Sequence, residues 1–132
     1  MITGIGHAAF AVRDIDASLG FYCGRLGLKE AFRLHKPTGE TWIVYIKVGQ
    51  GSFLELFPVP DARNQGGGSY QHLCLTVDDI HATLKEIEGR GLPVQGEPTM
   101  GQDGNWQYWL TDPDGNRIEL MQIMPDSLQA KA

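Results

Sequence analysis

Two histidines and two glutamates occupy matching places in the two halves of this chain: His7, Glu55, His72 and Glu119. His72 follows His7 by 65 positions, and Glu119 follows Glu55 by 64. Imidazole nitrogens together with carboxylate oxygens suit a borderline divalent ion such as Zn²⁺, Ni²⁺, Co²⁺, Mn²⁺ or Fe²⁺. Calcium would use more oxygen ligands, and structural zinc would use thiolates. We therefore predict one divalent metal ion per site, held by two residues from each half.

The other two histidines lie outside this pattern. His35 has no counterpart in the second half, and His81 falls within a predicted helix. We predict that both face solvent and bind no metal.

The metal pattern belongs to a longer internal repeat. The line HxxxxVxDIxAxLxxxxxR starts at both His7 and His72, and FLEL at 53–56 matches RIEL at 117–120. The change in spacing from 65 to 64 predicts a one-residue difference in a loop. A glycine-rich stretch, residues 64–68, joins the two copies.

Each copy is predicted to fold as a βαβββ module. A β-type run ends at an aspartate suited to capping the helix that follows, and three more strands are separated by glycine-rich or Asp-Pro turns. The predicted strands are Ile5–Val12, Ala31–His35, Thr41–Val48 and Ser52–Pro58, then Gln71–Val77, Val94–Pro98, Trp106–Thr111 and Arg117–Ile123, with helices Ile15–Leu26 and Ile80–Arg90. The predicted fold class is α+β, with tandem modules (about 2–60 and about 69–123) in a single domain, 1–132.

Strand side chains alternate between two faces, and this alternation predicts the lining of the site. The neighbours of the four ligands, such as Leu54, Leu56, Ile118 and Leu120, are apolar and should pack beneath the helices. The opposite faces should curve into a cup that holds the metal and a small-molecule substrate. The residues predicted to contact that substrate are Phe53, Phe57, Tyr70, Arg117 and Met121.

Composition excludes several classes of function. The formal net charge is −5, which argues against nucleic acid as a partner because phosphates require a basic surface. No segment approaches the ~18 apolar residues of a membrane span, and the first residues do not resemble a signal peptide. Cys23 and Cys74 lack a CxxC or secretory context and are predicted to be reduced thiols. These features predict a cytoplasmic location.

The segments GIGHAAFAVRDIDASLGFYCGRLGLK and LTDPDGNRIEL, with the paired modules, resemble the vicinal oxygen chelate superfamily of glyoxalases, bleomycin resistance proteins and dioxygenases. The resemblance extends from about Ile2 to Ile123. The order His, Glu, His, Glu is most similar to glyoxalase I, the lactoylglutathione lyase family. Extradiol dioxygenases and fosfomycin enzymes typically lack a ligand at the Glu55 position, the epimerase has Gln there, and bleomycin-binding members lack the ligands.

The resemblance implies a metal-dependent lyase or isomerase. Its substrate would be a small 2-oxo or 2-hydroxy carbonyl compound or its thiol adduct, converted through a metal-stabilised enediolate. Glu119 would transfer the proton, and Glu55 is the second candidate catalytic carboxylate. The alternatives are another metal-assisted enzyme of the superfamily (an extradiol dioxygenase, an epimerase or a fosfomycin-type thiol transferase) or a protein that sequesters a small molecule.

Two positions depart from the glyoxalase I pattern. An Arg that grips a glutathione carboxylate usually follows the first His by four residues, where this chain has Ala11, and an Asn is replaced by Val59. Apolar side chains cannot make either contact, so an anion contact would have to come from Arg13, Arg33, Arg63 or Arg117.

The resemblance also implies a homodimer with metal sites shared between chains. Module one of one chain would then face module two of its partner, because an open four-stranded sheet cannot enclose an ion alone.

Overall fold

The computed structural model describes all 132 residues, which form two compact units, Met1–Asn64 and Gln65–Ala132. The first unit contains β1 (His7–Val12), α1 (Ile15–Leu19), a π-helical segment (Gly20–Arg25), β2 (Lys29–His35), β3 (Thr41–Val48) and β4 (Ser52–Pro58). The second contains β5 (Leu73–Thr76), α2 (Ile80–Gly89), β6 (Thr99–Met100), β7 (Trp106–Thr111), β8 (Arg117–Gln122) and α3 (Leu128–Lys131). None of these helices is long and apolar enough to cross a bilayer.

The two units share one topology. Their four-stranded sheets have the orders β1-β4-β3-β2 and β5-β8-β7-β6. In each, the first strand runs parallel to the last, and the other pairings are antiparallel. This confirms the predicted α+β class with tandem βαβββ modules. That the two units make up one domain remains a prediction.

Each helix begins where the sequence predicts. The carboxylate of Asp14 accepts hydrogen bonds from the backbone N–H groups of Asp16 (3.0 Å) and Ala17 (3.1 Å). Asp79 accepts one from Ala82 at 2.9 Å. These carboxylates satisfy N–H groups that have no partner within the helix. The capping fixes the direction in which each helix leaves the strand that precedes it.

The first helix differs from the α-helix predicted over Ile15–Leu26. After α1 the chain widens into the π-helical segment, and the N–H of Leu26 donates to the carbonyl of Phe21, five residues back, at 2.9 Å. The wider turn lets two consecutive aromatic side chains, Phe21 and Tyr22, both be buried. The equivalent helix α2 has no such segment. The predicted loop difference was therefore misplaced, because the extra residue lies at the end of the helix.

The strand predicted over Val94–Pro98 is wrong. The chain forms only the two-residue strand β6, displaced toward the C-terminus. Pro98 has no N–H to donate to a ladder, and Gly96 adopts a left-handed conformation with φ of 75°. The backbone of Gln95 instead pairs with the hydroxyl of Tyr108, which donates to its carbonyl (3.0 Å) and accepts from its N–H (2.8 Å).

The core of each unit lies between one sheet face and one helix. In the first unit it is formed by Val12, Tyr22, Val44, Ile46 and Leu56, all fully buried. In the second, Ile80, Ile87 and Ile118 take the same role. These are the faces that the strand alternation assigned to the interior, so the opposite face of each sheet carries the candidate ligands.

The turn between β7 and β8 is built around one buried carboxylate. Asp112 accepts hydrogen bonds from the N–H groups of Asp114 (2.9 Å) and Asn116 (2.8 Å) and from the side-chain amide of Asn116 (2.9 Å). Since Asp112 is only 4% exposed, Asp112→Ala leaves those three donors unsatisfied. We expect it to destabilise the protein by about 2–4 kcal/mol, as measured by urea denaturation.

The matched control is Asp126→Ala in the same unit. The Asp126 side chain is exposed and its contact with Lys131 spans 3.4 Å, so its loss should change stability by less than about 0.5 kcal/mol. Equal denaturation midpoints for the two variants would contradict the role assigned to Asp112.

Candidate metal and substrate site

The first unit brings together His7 and Glu55. Parallel pairing of β1 with β4 places Ala9 opposite Glu55, so His7 lies two residues earlier on the same face. The His7 Nε2 atom is 3.5 Å from a carboxylate oxygen of Glu55. Glu55 is 6% exposed, whereas the His7 side chain is 54% exposed. The pair therefore combines a fixed carboxylate with an accessible imidazole.

A tyrosine holds the Glu55 carboxylate from the neighbouring strand. Tyr45 on β3 lies directly opposite Glu55, and its hydroxyl donates a hydrogen bond to that carboxylate. This hydrogen bond and burial beside the Glu55 charge raise the pKa of Tyr45. The Tyr45 ring also stacks on Phe32, with centroids 4.2 Å apart, so the hydroxyl is held in position.

The second unit brings together His72 and Glu119. The His72 Nε2 atom is 3.1 Å from a carboxylate oxygen of Glu119, which is 4% exposed. The sequence had predicted that His72 lies within a strand. In the structure it lies one residue before β5. Its ring packs edge-on against Trp109, with centroids 4.9 Å apart, and this contact orients the imidazole.

A thiol faces Glu119 where the first unit has Ala9. Cys74, on β5, lies opposite Glu119. The pKa of its thiol is raised to about 12, chiefly by burial. The charge of Glu119, a hydrogen bond between the thiol and Glu119, and the charge of Asp103 raise it further. Cys74 is therefore a neutral S–H donor near pH 7. Both cysteines are free, as predicted.

The two pairs fit the chemistry of a divalent ion. A nearly buried carboxylate is unfavourable unless it is paired or bound to a cation, and each carboxylate here has an imidazole nitrogen within 3.5 Å. No group of three or more His, Cys, Asp and Glu side chains is arranged to hold a metal. The structure thus gives one His–Glu pair in each unit, and the complete four-residue ligand set remains a prediction.

The residues predicted to contact substrate differ in their exposure to solvent. Phe53 and Phe57 lie on β4, on the same face as Glu55, and both are partly exposed. The Tyr70 hydroxyl donates to the carbonyl of Arg117 at 2.9 Å. Met121 is 8% exposed, and its sulfur accepts a hydrogen bond from the fully buried Asn105 amide at 3.5 Å. Met121 therefore belongs to the packed interior of its unit, and its contact with substrate remains a prediction.

Two aromatic residues beside the pairs were missed from the sequence. Tyr45 and Trp109 occupy the strands next to Glu55 and Glu119 and lie directly opposite them. They are 64 positions apart, the same spacing as the two glutamates. Comparing the two repeats at this spacing would have identified both aromatic residues from the sequence.

The histidines outside the two pairs are exposed, and two of the candidate anion-binding arginines have defined contacts. His35 and His81 are exposed, as predicted, and the His81 ring lies 5.7 Å from that of Trp106. Arg33 forms an ion pair with Glu30, to which it donates two hydrogen bonds, of 2.5 and 2.8 Å. The Arg117 guanidinium lies over the Trp109 ring, 4.2 Å from its centroid.

A model of the Glyoxalase/Bleomycin resistance protein/Dioxygenase superfamily matches residues 4–120. The chain belongs to this superfamily. Among superfamily relatives, a protein of Synechocystis named probable lactoylglutathione lyase is 33% identical over 123 residues, covering 88% of this chain and 92% of the relative. An ethylmalonyl-CoA/methylmalonyl-CoA epimerase of Cereibacter sphaeroides is 27% identical, covering 93% of this chain and all of the relative.

The fold agrees with the superfamily assignment. A crystal structure of a member of this superfamily from Sphaerobacter thermophilus matches with a TM-score of 0.72 and 28% identity, covering 92% of this chain and 98% of that one. Superfamily relatives are thus named as enzymes of more than one kind, and the side chains of this chain must distinguish between them.

Proposed function

We propose that this protein is a metal-dependent lyase or isomerase of the glyoxalase I type. Its substrate would be a small 2-oxo or 2-hydroxy carbonyl compound or the adduct of one with a thiol. The observation that supports this proposal is the repeated His–Glu pair, with carboxylates that are 6% and 4% exposed at repeat-equivalent positions. The two pairs would together hold one divalent ion, which would polarise two adjacent oxygens of the substrate as a Lewis acid.

The reaction requires a proton to move between neighbouring carbons. For a thiol adduct of a 2-oxoaldehyde, a base removes the proton from the carbon that carries sulfur and delivers it to the adjacent carbonyl carbon. The hydroxyl proton on the first carbon passes to the carbonyl oxygen of the second, so the first carbon becomes a thioester carbonyl and the second becomes a hydroxyl-bearing carbon. A carboxylate can carry out both steps if it is close to both carbons.

Glu119 suits the role of this base better than Glu55. Glu55 accepts a hydrogen bond from the rigidly stacked Tyr45 hydroxyl. Glu119 instead accepts one from the Cys74 thiol, which is a weaker donor. The cross-strand hydrogen bond that Glu119 must give up to turn toward a substrate carbon is therefore the weaker of the two, and its imidazole neighbour His72 lies 3.1 Å away.

An epimerase is the second candidate, because two relatives are named epimerases. Epimerisation beside a carbonyl uses the same removal and return of a proton. A side-by-side assay separates the two. We expect the metal-loaded protein to convert methylglyoxal–thiol adducts and not to epimerise methylmalonyl-CoA. The reverse result would replace the proposed lyase by an epimerase.

Metal binding is the first prediction of the proposed function. His72→Ala would remove one of four protein–metal bonds, and Glu55→Gln would weaken one, because an amide oxygen is a poorer ligand than a carboxylate. The affinity for the ion should fall by more than about 10–100-fold in His72→Ala, since a loss of that size already follows when only a hydrogen-bonding neighbour of a ligand is removed. Glu55→Gln should show a smaller fall in affinity. Metal content after dialysis against a graded chelator, measured by elemental analysis, gives the affinity.

His35→Ala is the matched control, since it removes an exposed imidazole at the end of β2, away from the His7–Glu55 pair of its own unit. It should leave the affinity unchanged. Retention of the metal by His72→Ala with loss in His35→Ala would refute the ligand assignment.

A further inference from the structure

Two lysines lie directly opposite each other on neighbouring strands of the first unit. Lys29, at the start of β2, pairs with Lys47 on β3, and both residues are exposed. Like charges at directly opposed positions of a sheet repel each other and destabilise the pairing. Lys36 contacts Glu40 at 3.4 Å, but neither Lys29 nor Lys47 has a carboxylate within ion-pair distance. In a chain with a net charge of −5, these two adjacent positive charges therefore remain without an acidic partner.

A β-bulge places Lys29 on the sheet face that carries Glu55. The register of β2 against β3 shifts at Ala31, which has no partner across the ladder. Lys29 and Phe32 are three positions apart and would point to opposite sides of a regular strand, but the extra residue brings both to the same side. The Phe32 ring stacks on Tyr45, whose hydroxyl donates to the Glu55 carboxylate, and these contacts identify the shared face.

Lys47 lies on the same face, close to that carboxylate. It is directly opposite Phe53 on β4, and Glu55 follows Phe53 by two residues. Glu55 is therefore a diagonal neighbour of Lys47, at about 7–8 Å. The Phe53 ring lies 6.1 Å from that of Tyr45, so aromatic side chains border the space between the lysines and the carboxylate. A small molecule that contacts both lysines can thus extend along these rings and place its other end beside Glu55.

The chemistry of the lysine pair favours a phosphoryl group. A phosphate monoester carries a charge of about −1.5 to −2 at pH 7 and has three strong acceptor oxygens, so two ammonium groups can contact different oxygens of the same group. An ammonium group acts as a point charge, whereas the planar fork of an arginine is the better match for a carboxylate. A dianion between Lys29 and Lys47 would also replace their mutual repulsion by two attractions.

We propose that Lys29 and Lys47 together bind the phosphoryl group of a small molecule whose other end lies beside Glu55. The ligand class is then a 2-oxo or 2-hydroxy carbonyl compound, or its thiol adduct, that also carries a phosphate monoester. That this ligand is the substrate rests on the proposed function. The binding of the phosphoryl group does not, and it is measured without turnover.

The test compares erythronate with 4-phosphoerythronate, two 2-hydroxy acids that differ only in the phosphoryl group at the far end. Isothermal titration of the metal-loaded protein at low ionic strength should show tighter binding of 4-phosphoerythronate. We expect a preference of about 5- to 30-fold, the size that two exposed ion pairs can supply. Because exposed charges are screened by salt, the preference should shrink as the ionic strength is raised.

Three variants assign the preference to the lysine pair. Lys29→Gln and Lys47→Gln should each reduce it, and the double variant should abolish it. Since each change removes a like-charge repulsion, the urea denaturation midpoint should not fall, which shows that the variants are folded. Lys36→Gln is the matched control, because it changes the net charge equally but removes a lysine that already contacts Glu40, and it should keep the full preference.

Four results would each overturn the proposal. They are failure of 4-phosphoerythronate to bind, equal affinities for the two acids in the wild-type protein, an undiminished preference in the double variant, and an equal loss of preference in Lys36→Gln.

The outcomes also separate this inference from the proposed function. A preference that depends on the two lysines, in a protein that converts no carbonyl–thiol adduct, would support the phosphoryl site and overturn the proposed lyase. Conversion of methylglyoxal–thiol adducts by a protein that binds the two acids equally would support the lyase and overturn the phosphoryl site.

Discussion

Glu119→Gln should lose about 10²- to 10⁴-fold in kcat, the usual contribution of a positioned general base, while retaining part of its metal. An amide oxygen can still approach a cation, but it cannot accept a proton from carbon. Glu119 is nearly buried beside His72, so glutamine of almost equal size should preserve the packing. Turnover of a methylglyoxal–thiol adduct, normalised to the metal content of each preparation, provides the measurement.

The comparison that isolates the base is with Glu55→Gln. That variant also removes a predicted ligand carboxylate, but Glu55 is restrained by Tyr45, so its turnover per bound metal should fall much less. Glu88→Gln, on the exposed side of α2, should have no effect on either quantity. Wild-type turnover per metal in Glu119→Gln would exclude Glu119 as the base.

Mixing two inactive variants should restore activity if the metal sites are shared between chains. His7→Ala damages the first unit and His72→Ala damages the second, so each homodimer has a lesion in every site. A heterodimer would have one site with both lesions and one intact site. With random exchange of subunits, about one quarter of the wild-type number of sites should be recovered.

A second mixture controls for indirect effects. His7→Ala and Glu55→Gln lie in the same unit, so in their heterodimer every shared site keeps one lesion, and mixing should give no activity beyond that of the two variants measured separately. Exchange of subunits is verified by native mass spectrometry of chains of different mass. Absence of recovery in the first mixture, once exchange has been demonstrated, would rule out shared sites and favour sites built within one chain.

The architecture was largely predictable because the same sequence pattern occurs in both halves of the chain. β3, β4 and β7 begin and end as predicted, since apolar residues at every second position of the helix-facing side, such as Leu54 and Leu56, leave little freedom in register. The strand at Val94–Pro98 failed for a local reason. A strand was predicted there because each repeated unit was expected to close with three strands, whereas Gly96 and Pro98 prevent a regular ladder, and the Tyr108 hydroxyl satisfies the backbone.

The His–Glu pairing within each unit was predictable from the sequence, but the surroundings of the pairs were not. His7, Glu55, His72 and Glu119 do form His–Glu pairs within each unit, because their spacing follows the strand pairing. The different restraint on the two glutamates was not visible in sequence. It depends on what lies across the sheet, Tyr45 in one unit and Cys74 in the other, and such cross-strand neighbours are known only once the register is known.

The π-helical turn at Gly20–Arg25 bears on the history of this chain. The two halves keep a spacing of 65 from His7 to Arg25 and of 64 from Gly27 onward, so the first half has gained, or the second has lost, one residue near Leu26. In an ordinary α-helix such an insertion would rotate everything beyond it by about 100°. Here the widened turn accommodates the added residue, and Gly27 and Gly91 still end the two helices with the same left-handed φ, 77° and 85°. One half of a duplicated ancestor has therefore changed length without moving its glutamate away from its histidine.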